Sequence, residues 1–155
     1  IVTAIAGRLP YYSWTGFYML DPEDRGTLVL GAFVGEPTPH VRIPVTEGIC
    51  GAAVALGKTV VVEDVNADPR YLSCSIRTRS EIVVPIYIGG RAVGGRAVGE
   101  IDVDSHALAA FSDVDRLFLE EVAGIVGEYV AAQGFPEKRT SGAKAPGPSE
   151  NLRHG

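Results

Sequence analysis

Two β-forming runs, residues 16–20 and 27–34, flank Asp21-Pro22-Glu23-Asp24-Arg25-Gly26, a hexapeptide dense in turn formers. A connection this short joins antiparallel strands, because a parallel pair needs a crossover of about a dozen residues or more. The chain therefore opens on a hairpin. Further strands follow. Residues 59–63 and 81–88 are rich in β-branched side chains, and residues 97–103 alternate apolar with polar. Pro85 places the second of these runs at a sheet edge or a bulge. Two helices are legible. Residues 50–56 form a small-residue stretch, and a longer helix starts at Ser112, with Asp115 as its capping-box partner and Asp113 beside the positive helix end. In that helix Val114, Leu117, Phe118, Val122, Ile125, Val126 and Tyr129 recur at three- and four-residue steps and predict one buried face. Gly124 and Gly127 weaken the helix but permit close packing. Residues 1–9 read as the end of a first helix. Without regular βαβ alternation the fold class is α+β, an antiparallel sheet of about six strands with helices packed on one face.

A chain of 155 residues accommodates one domain, assigned to residues 1–133. Residues 134–155 hold three Pro and four Gly, and their large apolar residues are Phe135 and Leu152. That composition reads as a disordered tail or a linker. The start lacks a signal peptide and an initiator Met, which reads as a truncated N-terminus. No run reaches the roughly 18 apolar residues of a membrane span, so no membrane role is expected. The net charge of −5 disfavours nucleic acid as a partner, and Arg70, Arg77 and Arg79 read as a solvated loop. Two cysteines are too few for a secreted disulfide framework and suggest a reducing cytoplasm. The spacing of His and Cys fits no metal motif, so no metal site is expected. Gly-Gly-Arg-Ala-Val occurs twice in succession from Gly89 and reads as a duplication in a hairpin loop rather than a phosphate loop.

Three groups of residues carry candidate chemistry. Cys50, between glycines where a helix begins, gains thiolate character from the helix N-terminus, or else is a small buried hydrophobe. Cys74 lies in a polar stretch with arginines nearby, which favours a reactive thiolate, with the same alternative. Asp102 and Asp104 are alternate residues of a strand and share a face, where each raises the other's pKa, and Glu81 begins a strand that can join them. The aromatics Tyr11, Tyr12, Trp14, Phe17 and Tyr18 serve either as core or as the wall of a site for a small cationic or amphoteric ligand.

In order along the chain stand Trp14-Thr-Gly-Phe-Tyr18, Ile43-Pro-Val-Thr-Glu-Gly-Ile-Cys50-Gly, Val61-Val-Glu-Asp-Val-Asn66, Cys74, Ser80-Glu81-Ile-Val-Val-Pro85 and Gly99-Glu-Ile-Asp102-Val-Asp104-Ser. This series resembles a GAF domain, and more narrowly the free methionine-(R)-sulfoxide reductases, over residues 11–130. The resemblance implies a six-stranded antiparallel sheet with a ligand pocket on one face. It implies Cys74 as nucleophile, and Glu81, Asp102 and Asp104 as the groups that hold the substrate ammonium and assist proton transfer. Trp14 and Tyr18 would contact the thioether end, and Cys50 matches a second family cysteine. Family members with three cysteines carry one, commonly the resolving thiol, where this chain has His40.

The implied function is reduction of free methionine-(R)-sulfoxide through a sulfenic acid and a disulfide. Cys50 is the internal candidate for resolution. No bound cofactor is implied; the external reductant is a dithiol such as thioredoxin. The amphipathic last helix and the partial first one offer a homodimer face. The alternative from another class is a non-catalytic sensor or regulatory GAF module of a signalling protein, since fold alone does not fix function.

Overall fold

The computed structural model describes residues 1–73, 75–89 and 96–135. Its elements are α1 (Val2–Ala6), β1 (Trp14–Leu20), β2 (Thr27–Val34), β3 (Arg42–Pro44), α2 (Gly48–Leu56), β4 (Val60–Val62), β5 (Ser80–Ile88), β6 (Arg96–Ser105) and α3 (Asp113–Gln133), with one 3-10 turn at Val65–Ala67. The six strands form a single sheet in the order β3-β2-β1-β6-β5-β4, and every pair is antiparallel. The predicted hairpin is β1–β2. Its turn is closed by the Asp24 carboxylate, which accepts from the Gly26 N–H at 3.0 Å and the Thr27 hydroxyl at 2.6 Å.

Alternation along the strands divides the apolar residues between two cores. Ile82, Val84, Ile86, Val98, Ile101 and Val103 face α1 and α3, which supply Ile5, Leu119, Ala123 and Val126. Tyr18, Leu28 and Val83 point to the opposite face, against Ile49, Cys50 and Ala53 of α2. The long helix α3 and the short α1 thus lie on one face, and α2 covers the other. Gly51 lets α2 descend this far. A Cβ there would stand 2.8 Å from the Val45 carbonyl and 2.9 Å from that of Pro44. Where β6 crosses β5, the pairing shifts between Ile86 and Tyr87 and leaves Val98 unpaired as a bulge. Pro85 stands one residue before Ile86 and beyond the last β4 pair, Val60↔Val83. A residue without an N–H is tolerated on that open side.

The capping box of α3 is formed as predicted, by Ser112 and Asp115. Asp115 also accepts from the hydroxyls of Tyr11 and Tyr12, each at 2.8 Å, and so ties the helix to the approach to β1. Burial pushes the Asp115 carboxyl up, but the Ser112 amide and hydroxyl and the two tyrosines together hold it below its ordinary value. The buried face of α3 matches the predicted one only in part: Phe118, Val122 and Val126 meet the core as expected. Leu119, Ala123 and Val126 are buried, whereas Val114, Leu117, Ile125 and Tyr129 are more than half exposed. The reason is backbone proximity at Gly127, which packs so closely on the Tyr87 carbonyl that no side chain fits. That contact sets the helix's rotation about its axis, with Val114, Leu117, Ile125 and Tyr129 outward. Gly124, by contrast, faces open space.

No helix of the described residues is long and apolar enough to cross a membrane. Within the Gly-Gly-Arg-Ala-Val duplication, residues 90–95 lie outside the described residues.

Candidate active site

Strand register builds the site. Trp14 pairs with Asp104, which pairs with Glu81; Gly16 pairs with Asp102, which pairs with Val83; Tyr18 pairs with Glu100, which pairs with Pro85. With a period of two, these rows present Glu81, Glu100, Asp102 and Asp104 to the face that α2 covers. Helix α2 lowers Cys50 onto them. Its Sγ lies 3.6 Å from Asp102 Oδ2 and 4.0 Å from Glu81 Oε1. None of these five residues is more than 7% exposed. Among the described residues, no ion pair involves them. Both Glu100 carboxylate oxygens, Asp102 Oδ1 and Asp104 Oδ1 are buried without a hydrogen-bond partner.

Four carboxyl groups taken out of water without a cation resist ionisation. Burial pushes Glu81, Asp102 and Asp104 well above the carboxylate range, and the charges of neighbouring acids push them further. Burial brings Glu100 to about 8, with Asp104 adding to the rise and the nearby Cys50 thiol opposing it. Of the two readings of Cys50, the structure matches the small buried hydrophobe and not the thiolate at a helix start. Burial, and after it the charges of Glu100, Asp102 and Glu81, hold it as a thiol well above its ordinary value. Neighbouring carboxylates and desolvation outweigh the helix end. Donor atoms of Cys50, Glu81 and Asp102 lie within 4.8 Å of one another, so a metal ion would find ligands there only by displacing their protons.

Glu100 escaped the sequence reading although it precedes Asp102 by two residues and shares its face. It gives a stability prediction. A group with a raised folded-state pKa keeps its proton while the unfolded chain loses it, so stability falls as pH rises from the ordinary 4.5 to about 8. Glu100→Gln removes that loss. Between about pH 5 and about pH 9, urea denaturation should show the variant gaining roughly 4 kcal/mol on the parent chain. An equal pH dependence of the two proteins would contradict the assignment.

Above the acids lie two segments from distant parts of the chain. The Tyr18 hydroxyl donates to the His40 carbonyl at 2.7 Å, and the Trp14 indole N–H donates to the Glu36 carbonyl at 3.0 Å. The Trp14 ring lies across Gly16 and Gly35, where any Cβ would overlap it, and Gly35 has a φ of +136° that favours glycine. Trp14 stacks on Phe33 at 5.7 Å and lies 6.4 Å from Tyr18. Of the remaining aromatics, Tyr11, Tyr12 and Phe17 belong to the α3-side core. Cys74 lies outside the described residues. On either side of it, His40 Nε2 is 3.0 Å from the Ser73 carbonyl, and the Ser75 hydroxyl accepts from the Arg77 N–H at 3.2 Å. The Arg77 guanidinium pairs with the Glu36 carboxylate. Asp104, Trp14, Ser75, Arg77, Glu36 and His106 are among the residues that border a cavity of about 40 Å³ at this mouth. A larger cavity of about 660 Å³ runs between β5 and the C-terminal half of α3, lined by Tyr87, Glu120 and Glu128 among others, away from the acids and the thiol.

The GAF domain family model matches residues 1–130. The chain is 44% identical to Protein YtsP of Bacillus subtilis over 115 residues, 74% of this chain and 66% of that one. It is 34% identical to the free methionine-R-sulfoxide reductase of Escherichia coli over 128 residues, 83% of this chain and 72% of that one. Among solved structures it resembles free methionine-R-sulfoxide reductase from Neisseria meningitidis in complex with its substrate, with a TM-score of 0.75 and 40% identity over 84% of this chain and 74% of that one. The chain spans about two thirds of the length of the curated relatives it matches.

Proposed function

Because the chain belongs to the GAF domain family, and its pocket face carries four buried carboxyl groups beside a thiol, we propose that it reduces free methionine-(R)-sulfoxide to methionine. The observation that carries this reading is the set of buried acid oxygens without partners. Such groups call for an occupant that brings donors and positive charge. An amino acid's ammonium supplies both. The names of the Escherichia coli and Neisseria meningitidis relatives support the same substrate.

In this mechanism the Cys74 thiolate attacks the sulfoxide sulfur. Oxygen passes to the cysteine, which becomes a sulfenic acid, and the two electrons reduce the sulfoxide to the thioether. Glu81, Asp102 and Asp104 hold the ammonium, at least one of them as a carboxylate. One of the set, kept protonated by its neighbours, supplies the proton that oxygen transfer requires. Trp14 and Tyr18 contact the thioether end. Cys50 then attacks the sulfenic acid and forms the Cys50–Cys74 disulfide, while Asp102, 3.6 Å away, takes the Cys50 proton and passes it to the departing oxygen, which leaves as water. An external dithiol such as thioredoxin restores both thiols, in keeping with a reducing cytoplasm. The mouth has room for about one water molecule, so binding parts the segments that carry Glu36 and Arg77. A homodimer would use the outward Val114, Leu117, Ile125 and Tyr129 of α3.

The test is steady-state methionine release by reduced protein with dithiothreitol. The free (R) epimer should be turned over, and the (S) epimer and a peptide-bound sulfoxide should not. Equal rates on all three would exclude a pocket built around the free amino acid.

A further inference from the structure

We infer that Arg77 binds the substrate's α-carboxylate and so sets the preference for a free amino acid, an inference that rests on the function proposed above. A free amino acid carries a positive and a negative group on adjacent atoms. The pocket floor offers only carboxyl groups, Glu81, Glu100, Asp102 and Asp104, and these answer only the positive one. At the mouth the complement is present. Arg77 borders the same small cavity as Asp104, and it is the one guanidinium among the described residues lining it.

Three features suit Arg77 to this task. Its backbone N–H is held by the Ser75 hydroxyl at 3.2 Å, which fixes the root of the side chain at the rim. Its guanidinium already grips a carboxylate, that of Glu36, so the position and geometry for such a group exist. Glu36 acts there as an internal stand-in for the substrate. The exchange is also inexpensive. Both side chains are more than half exposed, and an ion pair in that setting contributes little to stability. The planar fork can moreover hold a carboxylate in two parallel hydrogen bonds. The ammonium then sits at Asp104 and the carboxylate at Arg77, both on one small cavity. A residue followed by a peptide bond has no α-carboxylate and forfeits the second contact.

The test compares kcat and KM for free L-methionine-(R)-sulfoxide and for its carboxamide, which keeps the ammonium and lacks the carboxylate. Arg77→Gln should raise KM for the acid by about 10- to 100-fold with little change in kcat, and leave the carboxamide as it was. Arg77→Lys should restore part of the loss. Glu36→Gln should lower KM for the acid, because it removes the internal competitor. If Arg77→Gln and Glu36→Gln both raise KM for acid and carboxamide alike, the pair is only a tie between two segments and the inference is overturned. An acid-to-carboxamide ratio unchanged in Arg77→Gln overturns it too. If the parent chain turns over neither compound, the proposed function falls and takes the inference with it, whereas turnover with unaltered selectivity removes the inference alone.

Discussion

Cys74→Ser protein should release no methionine from the free (R) sulfoxide. The reaction transfers oxygen from one sulfur to another, and the acceptor must be a thiolate, ionised near neutral pH and able to exist as a sulfenic acid. A serine hydroxyl meets neither requirement. The loss should be at least about 10⁴-fold, the scale seen when a covalent nucleophile is removed. Cys50→Ser gives the informative contrast. Cys50 is held as a thiol against Glu100, Asp102 and Glu81, poorly suited to first attack but well placed to lose its proton to a carboxylate later. Its replacement should leave the first turnover intact and slow only the return to the reduced state. Release of methionine by Cys74→Ser at the parent rate, followed by chromatography, would refute the assignment.

Asp102→Asn carries the second large effect. In the proposed pocket a carboxylate holds the ammonium while a neighbouring acid supplies a proton, and an amide can do neither. The expected loss in kcat/KM is about 10²- to 10⁴-fold. The pH profile separates this role from a structural one. Burial and mutual charge raise Glu81, Asp102 and Asp104, so the empty pocket is largely protonated at acid pH. Ammonium binding needs the ionised form and must therefore release a proton. KM should fall as pH rises beyond the ordinary carboxylate range, and kcat should decline at still higher pH as the proton donor is lost. Asp102→Asn should flatten the acid limb, because it removes one of the coupled groups. An Asp102→Asn protein with parent kcat/KM and an unchanged profile would contradict the role.

How far the sequence anticipates this site depends on whether a contact is local. The hairpin follows from Asp24 and its neighbours, and the shared face of Asp102 and Asp104 follows from strand parity. The same parity reaches Glu100, but the bulge at Val98 breaks the alternation two residues earlier and disguises the length of the acidic stripe. Strand β3, only Arg42–Pro44, is too short to carry a periodic signal. In α3 two apolar stripes compete at similar spacing. The contact of Gly127 with Tyr87 decides between them and brings together residues 40 positions apart. Cys50 teaches the same lesson in electrostatics. Its local position at a helix start favours the thiolate, and acids from β5 and β6 reverse that preference. The contacts Glu36–Arg77 and His40–Ser73 join segments 41 and 33 residues apart and have no sequence pattern of their own.

The central claim, oxygen transfer from the free sulfoxide to Cys74, is tested most directly by a single turnover without any reductant. Fully reduced protein is mixed with excess free methionine-(R)-sulfoxide, and methionine and remaining thiols are counted. The account predicts about one methionine per chain with loss of both thiols, about one methionine with loss of the single remaining thiol in Cys50→Ser, and none in Cys74→Ser. A reduced, folded chain that releases no methionine and keeps both thiols would contradict it.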